Sequence, residues 1–243
     1  MQHRRPETET TSNEPATADA SGEAEPSRSA AAVWRPAQAL LHALLDVVGA
    51  QAAEGHRLAG LADGAWIDPD RGEQVAAAFL AVPSTPVLPE VQQAYWQLRV
   101  ETDALYARLV APREDGGLGL VVRHQLTDPY QQAEEIVDDL ASGILRMGPN
   151  RQPHPLMGSN PGCPYDRLRA VHDVLGHAAL GAGFDRHGEY ACWLVQRRLH
   201  APAAAAALTT ELHGENCVLW VTGRHAVHKA ALLPPSLRIP RPP

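Results

Sequence analysis

The stretch Tyr165-Asp166-Arg167-Leu168-Arg169-Ala170-Val171-His172-Asp173-Val174-Leu175-Gly176-His177 decides how this chain is read. Leu168, Val171, Leu175 and Ala178 recur at helical spacing, and Asp166 lies near the positive end of the helix they predict. That helix carries two histidines five residues apart. On a regular α-helix such a step turns two side chains roughly 140° from each other, at about 100° per residue. For His172 and His177 to meet, the helix must widen or end between them, and Gly176 is the residue most permissive of either change. The step also separates the motif from the H-E-x-x-H of zinc proteases, where the ligands are closer and a Glu follows the first His. Here Asp173 stands second and the other His comes one residue later.

Reading outward toward the C-terminus, Phe184 to Leu199 forms another helical pattern, with Ala191, Leu194, Val195 and Leu199 apolar and Glu189 near its start. Ala203 to Leu208 continues helically after Pro202. Thr209-Thr210-Glu211-Leu212-His213-Gly214-Glu215-Asn216 is then expected to leave the helix as an extended or turning segment. This polar run lies between apolar Ala203 to Leu208 and apolar Val218 to Val221, so it is expected to face a cleft. Buried polar groups need partners, and a metal ion is an efficient one.

Toward the N-terminus, residues 148 to 164 are rich in proline and glycine and predict an irregular loop, a candidate wall of the site. Ile144 to Met147 and Leu118 to Val122 read as short strands, and Asp128-Pro129 reads as a cap opening a helix through Ala141. After Pro89, the stripe Val91, Ala94, Tyr95, Leu98, Thr102, Leu105, Leu109 predicts a long amphipathic helix closed before Pro112. Residues 60 to 89 read as loops around one short helical piece, Gln74 to Leu80. A further helix is expected from Trp34-Arg35-Pro36 to Val48, loosened by Gly49 and Gly55. Residues 1 to 32 offer almost nothing to bury and predict a disordered N-terminal tail. The expected architecture is mainly α with a few short strands (α+β), as a single metal-binding catalytic domain over residues 33 to 243.

Composition narrows the classes. A net charge of −7 with no basic run argues against nucleic acid as a partner. Cys163, Cys192 and Cys217 are odd in number and form no C-x-x-C pair, which fits a reducing, cytoplasmic setting and small buried hydrophobes. No stretch approaches the roughly 20 apolar residues of a membrane helix, and the start of the chain leads into no apolar leader.

Two histidines and one carboxylate, with other positions open, form the ligand set of non-haem Fe(II) oxygenases. For the carboxylate, Glu211 leads and Glu189 is its rival, while His213 and Glu215 stay open. Were both Glu189 and Glu211 to bind, two metals would become possible. A carboxylate that does not bind can still accept a proton from a ligating imidazole. His187, His200, His225 and His228 read as surface histidines, and His154 is better placed to face the cleft. Tyr95, Trp96 and Trp193 read as core.

At these residues the chain resembles the catalytic core of the tetrahydropterin-dependent aromatic amino acid hydroxylases. That family carries H-E-x-x-G-H with the same step and the same Gly, then an F-x-x-x-x-x-E helix that Phe184 to Glu189 approximates. Its T-x-E-x-G stretch is approximated by Thr209 to Gly214, and it has a proline-rich loop ahead of the histidines. The likeness covers about residues 140 to 220. It implies a hydroxylase-like helical catalytic domain, with Fe(2+) held by His172, His177 and Glu211. Asp173 takes the place of a pterin-contacting Glu, one methylene shorter, as cofactor-binding and catalytic residue, and Glu189 is a catalytic neighbour. Arg146 or Arg151 would hold a substrate carboxylate.

The implied activity is a mononuclear iron monooxygenase acting on a small molecule with dioxygen, with tetrahydropterin as candidate reductant. The chain is also similar to uncharacterised proteins sharing H-D-x-x-G-H and T-T-E-x-x-G-x-N, a likeness that extends back to the helix around Tyr95. The alternatives are a zinc-dependent hydrolase in which Asp173 or Glu189 takes a proton from metal-activated water, and a non-catalytic metal-binding protein.

Overall fold

Helix α1, Arg35–Val47, begins with Pro36 in its first turn and buries Ala37, Leu40, Leu41 and Leu45. The computed structural model describes residues 32–48 and 67–240. The N-terminal tail, Ala32 apart, and the Gly49 and Gly55 expected to loosen α1 lie outside the described residues. Helix α2, Pro69–Ala81, is longer than the expected piece Gln74 to Leu80, because Asp68 caps it: its carboxylate accepts the Asp70 N–H at 3.0 Å, with Pro69 at the first position. Helix α3, Pro89–Val110, buries the whole predicted stripe from Val91 to Leu109. At ~1.5–3 kcal/mol for each large apolar side chain, such a stripe outweighs the modest propensity of its β-branched members.

A small parallel sheet pairs β1, Val121–His124, with β2, Ile144–Met147, in the register Val121↔Ile144 to His124↔Met147. Helix α4, Ala133–Ala141, makes the crossover that a parallel pair requires. Strand β2 lies where the sequence predicts it. Strand β1 starts later than the expected Leu118, because the Leu118 and Leu120 N–H groups donate to Arg108 O and Leu109 O at the end of α3, both at 3.0 Å. Helix α4 also starts later than Asp128. A capping box of Gln132 and Glu135 opens it, while the Asp128 carboxylate is bound by Arg151.

Helix α5, Pro164–Val171, runs without interruption into a π-helical segment, His172–Ala178. Helix α6, Arg186–Gln196, is capped by Asp185, which accepts from His187 N and Gly188 N. Helix α7, Pro202–Leu208, passes through a second π-helical segment, Thr209–Gly214, into α8, Glu215–Thr222. The expected departure from the helix at Thr209 is therefore corrected. The backbone stays helical and widens, and all six residues of the widened segment are buried.

Helix α3 packs on α5 and α7, α2 packs on α8, and α6 touches both π segments. The largest apolar cluster joins α1 and the sheet to His172's own turn through Val171, Val174, Leu175 and Ala178. No described helix is long and apolar enough to cross a membrane.

Candidate metal centre

A π turn closes i→i+5 hydrogen bonds, so residues five apart return to nearly one face. Of the two changes that would let the histidines meet, a widening or an ending of the helix, the widening is found, at His172–Ala178. The two imidazoles meet edge to face at 4.7 Å between centroids, with Nε2 3.1 Å from Nε2. Gly176 lies within the widened segment. It is not among the glycines with positive φ. A Cβ built there would come within 3.0 Å of Cys192 Sγ, so the glycine admits the close approach of α6.

The hydrogen bonds behind the rings fix which nitrogen carries the proton. The Gln196 amide donates through Nε2 to Val171 O at 3.1 Å, which turns its Oε1 toward His172 Nδ1, 3.0 Å away. An amide oxygen only accepts, so His172 Nδ1 carries the hydrogen. His177 Nδ1 lies 2.9 Å from Ala182 O and is likewise the donor. Both Nε2 atoms therefore face each other across the gap, an arrangement that calls for a cation, whether a proton on His177 or a metal ion. The outer nitrogens are held as those of metal-ligating histidines usually are.

Glu189, in the first turn of α6, completes the group. Its Oε2 is 3.1 Å from His172 Nε2 and its Oε1 is 3.5 Å from His177 Nε2. One donor atom from each of the three lies within 4.8 Å of the others. Asn216 Nδ2 donates to Glu189 Oε2 at 2.8 Å and orients the carboxylate. Burial alone would raise the Glu189 pKa, but the two histidines outweigh it and hold the group well below the usual range. Burial alone would discharge His177, yet Cys192 and Glu189 beside it push its pKa well above the ordinary value. Cys192 Sγ lies on the Nδ1 side of His177, at 3.7 Å, and burial raises its own pKa.

Glu211, expected beside His172 and His177, is not in the group that they form with Glu189. Glu211 Oε1 accepts from Tyr95 OH and faces His154 Nε2 at 3.1 Å. His154 Nδ1 accepts two backbone N–H groups, from Leu156 at 3.0 Å and Met157 at 2.9 Å, so its hydrogen sits on Nε2 and points at Glu211. Glu211 belongs instead to a second group with Glu215 and His228, whose donor atoms also lie within 4.8 Å of one another. Burial raises the Glu215 pKa to about 7, against the pull of His228.

Asp173 stands beside the histidines but joins neither group, and its side chain makes no hydrogen bond among the described residues. Burial raises its pKa, and His172, His177 and Arg169 draw it back. His213 is buried flat against Trp193, 4.3 Å between centroids, and burial lowers its pKa to about 3.

The two groups border separate cavities. One, of about 240 Å3, is lined by Glu189, Tyr190, Cys217 and Trp220 among others. The other, of about 270 Å3, is lined by Tyr165, Arg169, Glu215 and His228 among others. Asn216 lines both. Of the two candidate arginines, Arg151 borders the second cavity. Arg146 is paired with Asp139 at 2.5 Å.

His154, expected to face the cleft, is buried against Glu211 and lines neither cavity, and His200 and His228, expected at the surface, lie inside. His200 is buried against Glu101 at 3.0 Å, and His228 is half-buried against Glu215 at 2.8 Å. Gln196, Asn216 and the hydroxyl of Tyr95 were not singled out. Its phenol hydroxyl, on a stripe that is apolar but for Tyr95 and Thr102, was the one available signal for Tyr95.

The chain matches no family model, no curated protein and no solved structure.

Proposed function

We propose that the chain is a non-haem iron oxygenase whose Fe(II) is held by His172, His177 and Glu189. The observation that carries this reading is the pair of Nε2 atoms 3.1 Å apart beside the Glu189 carboxylate, with both Nδ1 atoms committed elsewhere. The donor set of two imidazoles and one carboxylate, without thiolate, is that of iron oxygenases rather than of purely structural zinc sites. When bound, the iron would supply the one-electron chemistry that activates dioxygen, with one oxygen atom entering a small substrate and the other leaving as water. Two electrons would come from a reductant, for which the family resemblance suggests tetrahydropterin.

The protein's own groups have defined tasks in this account. Gln196 and Ala182 O hold the imidazoles in the tautomer that presents Nε2, Asn216 aims Glu189, and Phe184 packs edge-on to the His177 ring at 4.8 Å. The cavity of about 240 Å3 beside Glu189 suits a small, partly apolar substrate. Asp173, near the histidines and with no side-chain hydrogen bond among the described residues, is a group able to take or give a proton there.

Oxygen uptake by the iron-loaded protein tests this reading. Iron bound in a form lost by His172→Ala, with dioxygen consumed in the presence of a reductant, supports it. Zinc retained through purification, ester or amide hydrolysis and no oxygen uptake would replace it with the hydrolase.

A further inference from the structure

The second group of donors is built on different residues and makes different demands. Glu211 is held on one side only. Tyr95 OH and His154 Nε2 both serve Oε1, while Oε2 is fully buried and has no hydrogen-bond partner. The Glu211 side chain is 1% exposed. A buried carboxylate oxygen left without a donor is costly, and native interiors rarely tolerate it without an ion or an ordered water.

Beside it stand Glu215 and His228, with His228 Nδ1 2.8 Å from Glu215 Oε1 and Tyr165 OH donating to Glu215 Oε2 at 3.3 Å. Two carboxylates and one imidazole thus offer converging donor atoms. The cavity of about 270 Å3 at Tyr165, Glu215 and His228 gives a route in from solvent.

We infer that Glu211, Glu215 and His228 form a second divalent-cation site, for an ion of the manganese or iron class, separate from the site at His172, His177 and Glu189. Two oxygen donors with a single imidazole and no thiolate favour that class over a soft metal. Tyr95 and His154 act on this site as positioning residues: they fix Oε1 of Glu211 and so leave Oε2 free to bind. The two sites meet at α8. Glu215 and Asn216 are adjacent, and Asn216 donates to Glu189, so an ion on Glu215 steadies the residue that aims the carboxylate of the first site.

The test uses the full chain, stripped of metal and titrated with Mn(2+), with free ion counted by its electron paramagnetic resonance signal. Wild type is expected to bind two equivalents. Glu215→Gln and His228→Gln should each bind one, and His172→Ala should also bind one. The wild-type count stands by itself should a variant fail to fold.

A wild type that binds one equivalent, kept in Glu215→Gln and lost in His172→Ala, overturns the second site and leaves the iron centre standing. One equivalent lost in Glu215→Gln but kept in His172→Ala supports the second site and removes the first. No tight binding at all overturns both.

Discussion

His172 Nε2 and His177 Nε2 stand 3.1 Å apart beside Glu189 while both Nδ1 atoms donate away from the gap, so the space between them takes a cation, a proton on His177 or a metal ion. A bound metal ion takes that proton's place by coordination, and because only the folded chain presents the pair, the ion stabilises the fold. At a hundredfold excess over its Kd, one ion adds about 2.7 kcal/mol. Thermal unfolding with and without ferrous iron under argon should show a higher Tm with metal, and His177→Ala should lose the part of the shift that belongs to this site.

Gln196 is the residue through which the fold dictates the His172 tautomer. Gln196→Leu keeps the size of the side chain but removes both the acceptor for Nδ1 and the bond to Val171 O. Metal affinity at the histidine site is expected to fall by roughly 10–100-fold, the usual cost of losing an outer partner of a ligating histidine. Titration followed by the ion's own signal, with circular dichroism as a control on folding, measures this. Unchanged affinity would mean that Gln196 is merely packing.

Gly176→Ala brings a methyl within 3.0 Å of Cys192 Sγ and 3.1 Å of its Cβ, in a place where both elements are buried. Overpacking of this kind costs about 1–3 kcal/mol. Cys192→Ala in the same chain removes the sulfur and should recover part of the loss, seen as a positive coupling in a double-mutant cycle by urea unfolding.

Away from the site, Glu101 joins α3 to the start of α7: its Oε2 meets His200 Nδ1 at 3.0 Å and accepts from Ala201 N at 3.1 Å. Burial alone would raise its pKa, but the hydrogen bonds from His200, Gln97 and Ala201 prevail and lower it below the usual value of 4.5. A depressed folded pKa gives stability that is present above the unfolded value and is lost as pH falls through the folded one. Denaturation of wild type and Glu101→Gln should therefore differ at pH 7 and converge as the pH is taken below about 4. A constant gap would show that the charge is not what matters.

Local patterns carried much of this structure into view. The five-residue histidine step called for a helix that widens or ends between the two rings, of which the fold takes the first, and the stripe from Val91 to Leu109 gave α3 whole. The Asp-Pro signal shows where such reading stops. At Asp68-Pro69 it opens a helix and at Asp128-Pro129 it does not, because the second Asp is bound by Arg151 from a distant loop. The choice between Glu189 and Glu211 was beyond the sequence for the same reason. Both carboxylates follow the histidines on helices, and what separates them is that Tyr95 and His154, far off in the chain, occupy Glu211.

That choice is most directly settled by a crystal structure of the iron-loaded protein with anomalous data collected at the iron edge. The account predicts a peak at bonding distance from His172 Nε2, His177 Nε2 and a Glu189 oxygen. A peak bound by the two histidines together with Glu211, or no peak between the histidines at all, would contradict it.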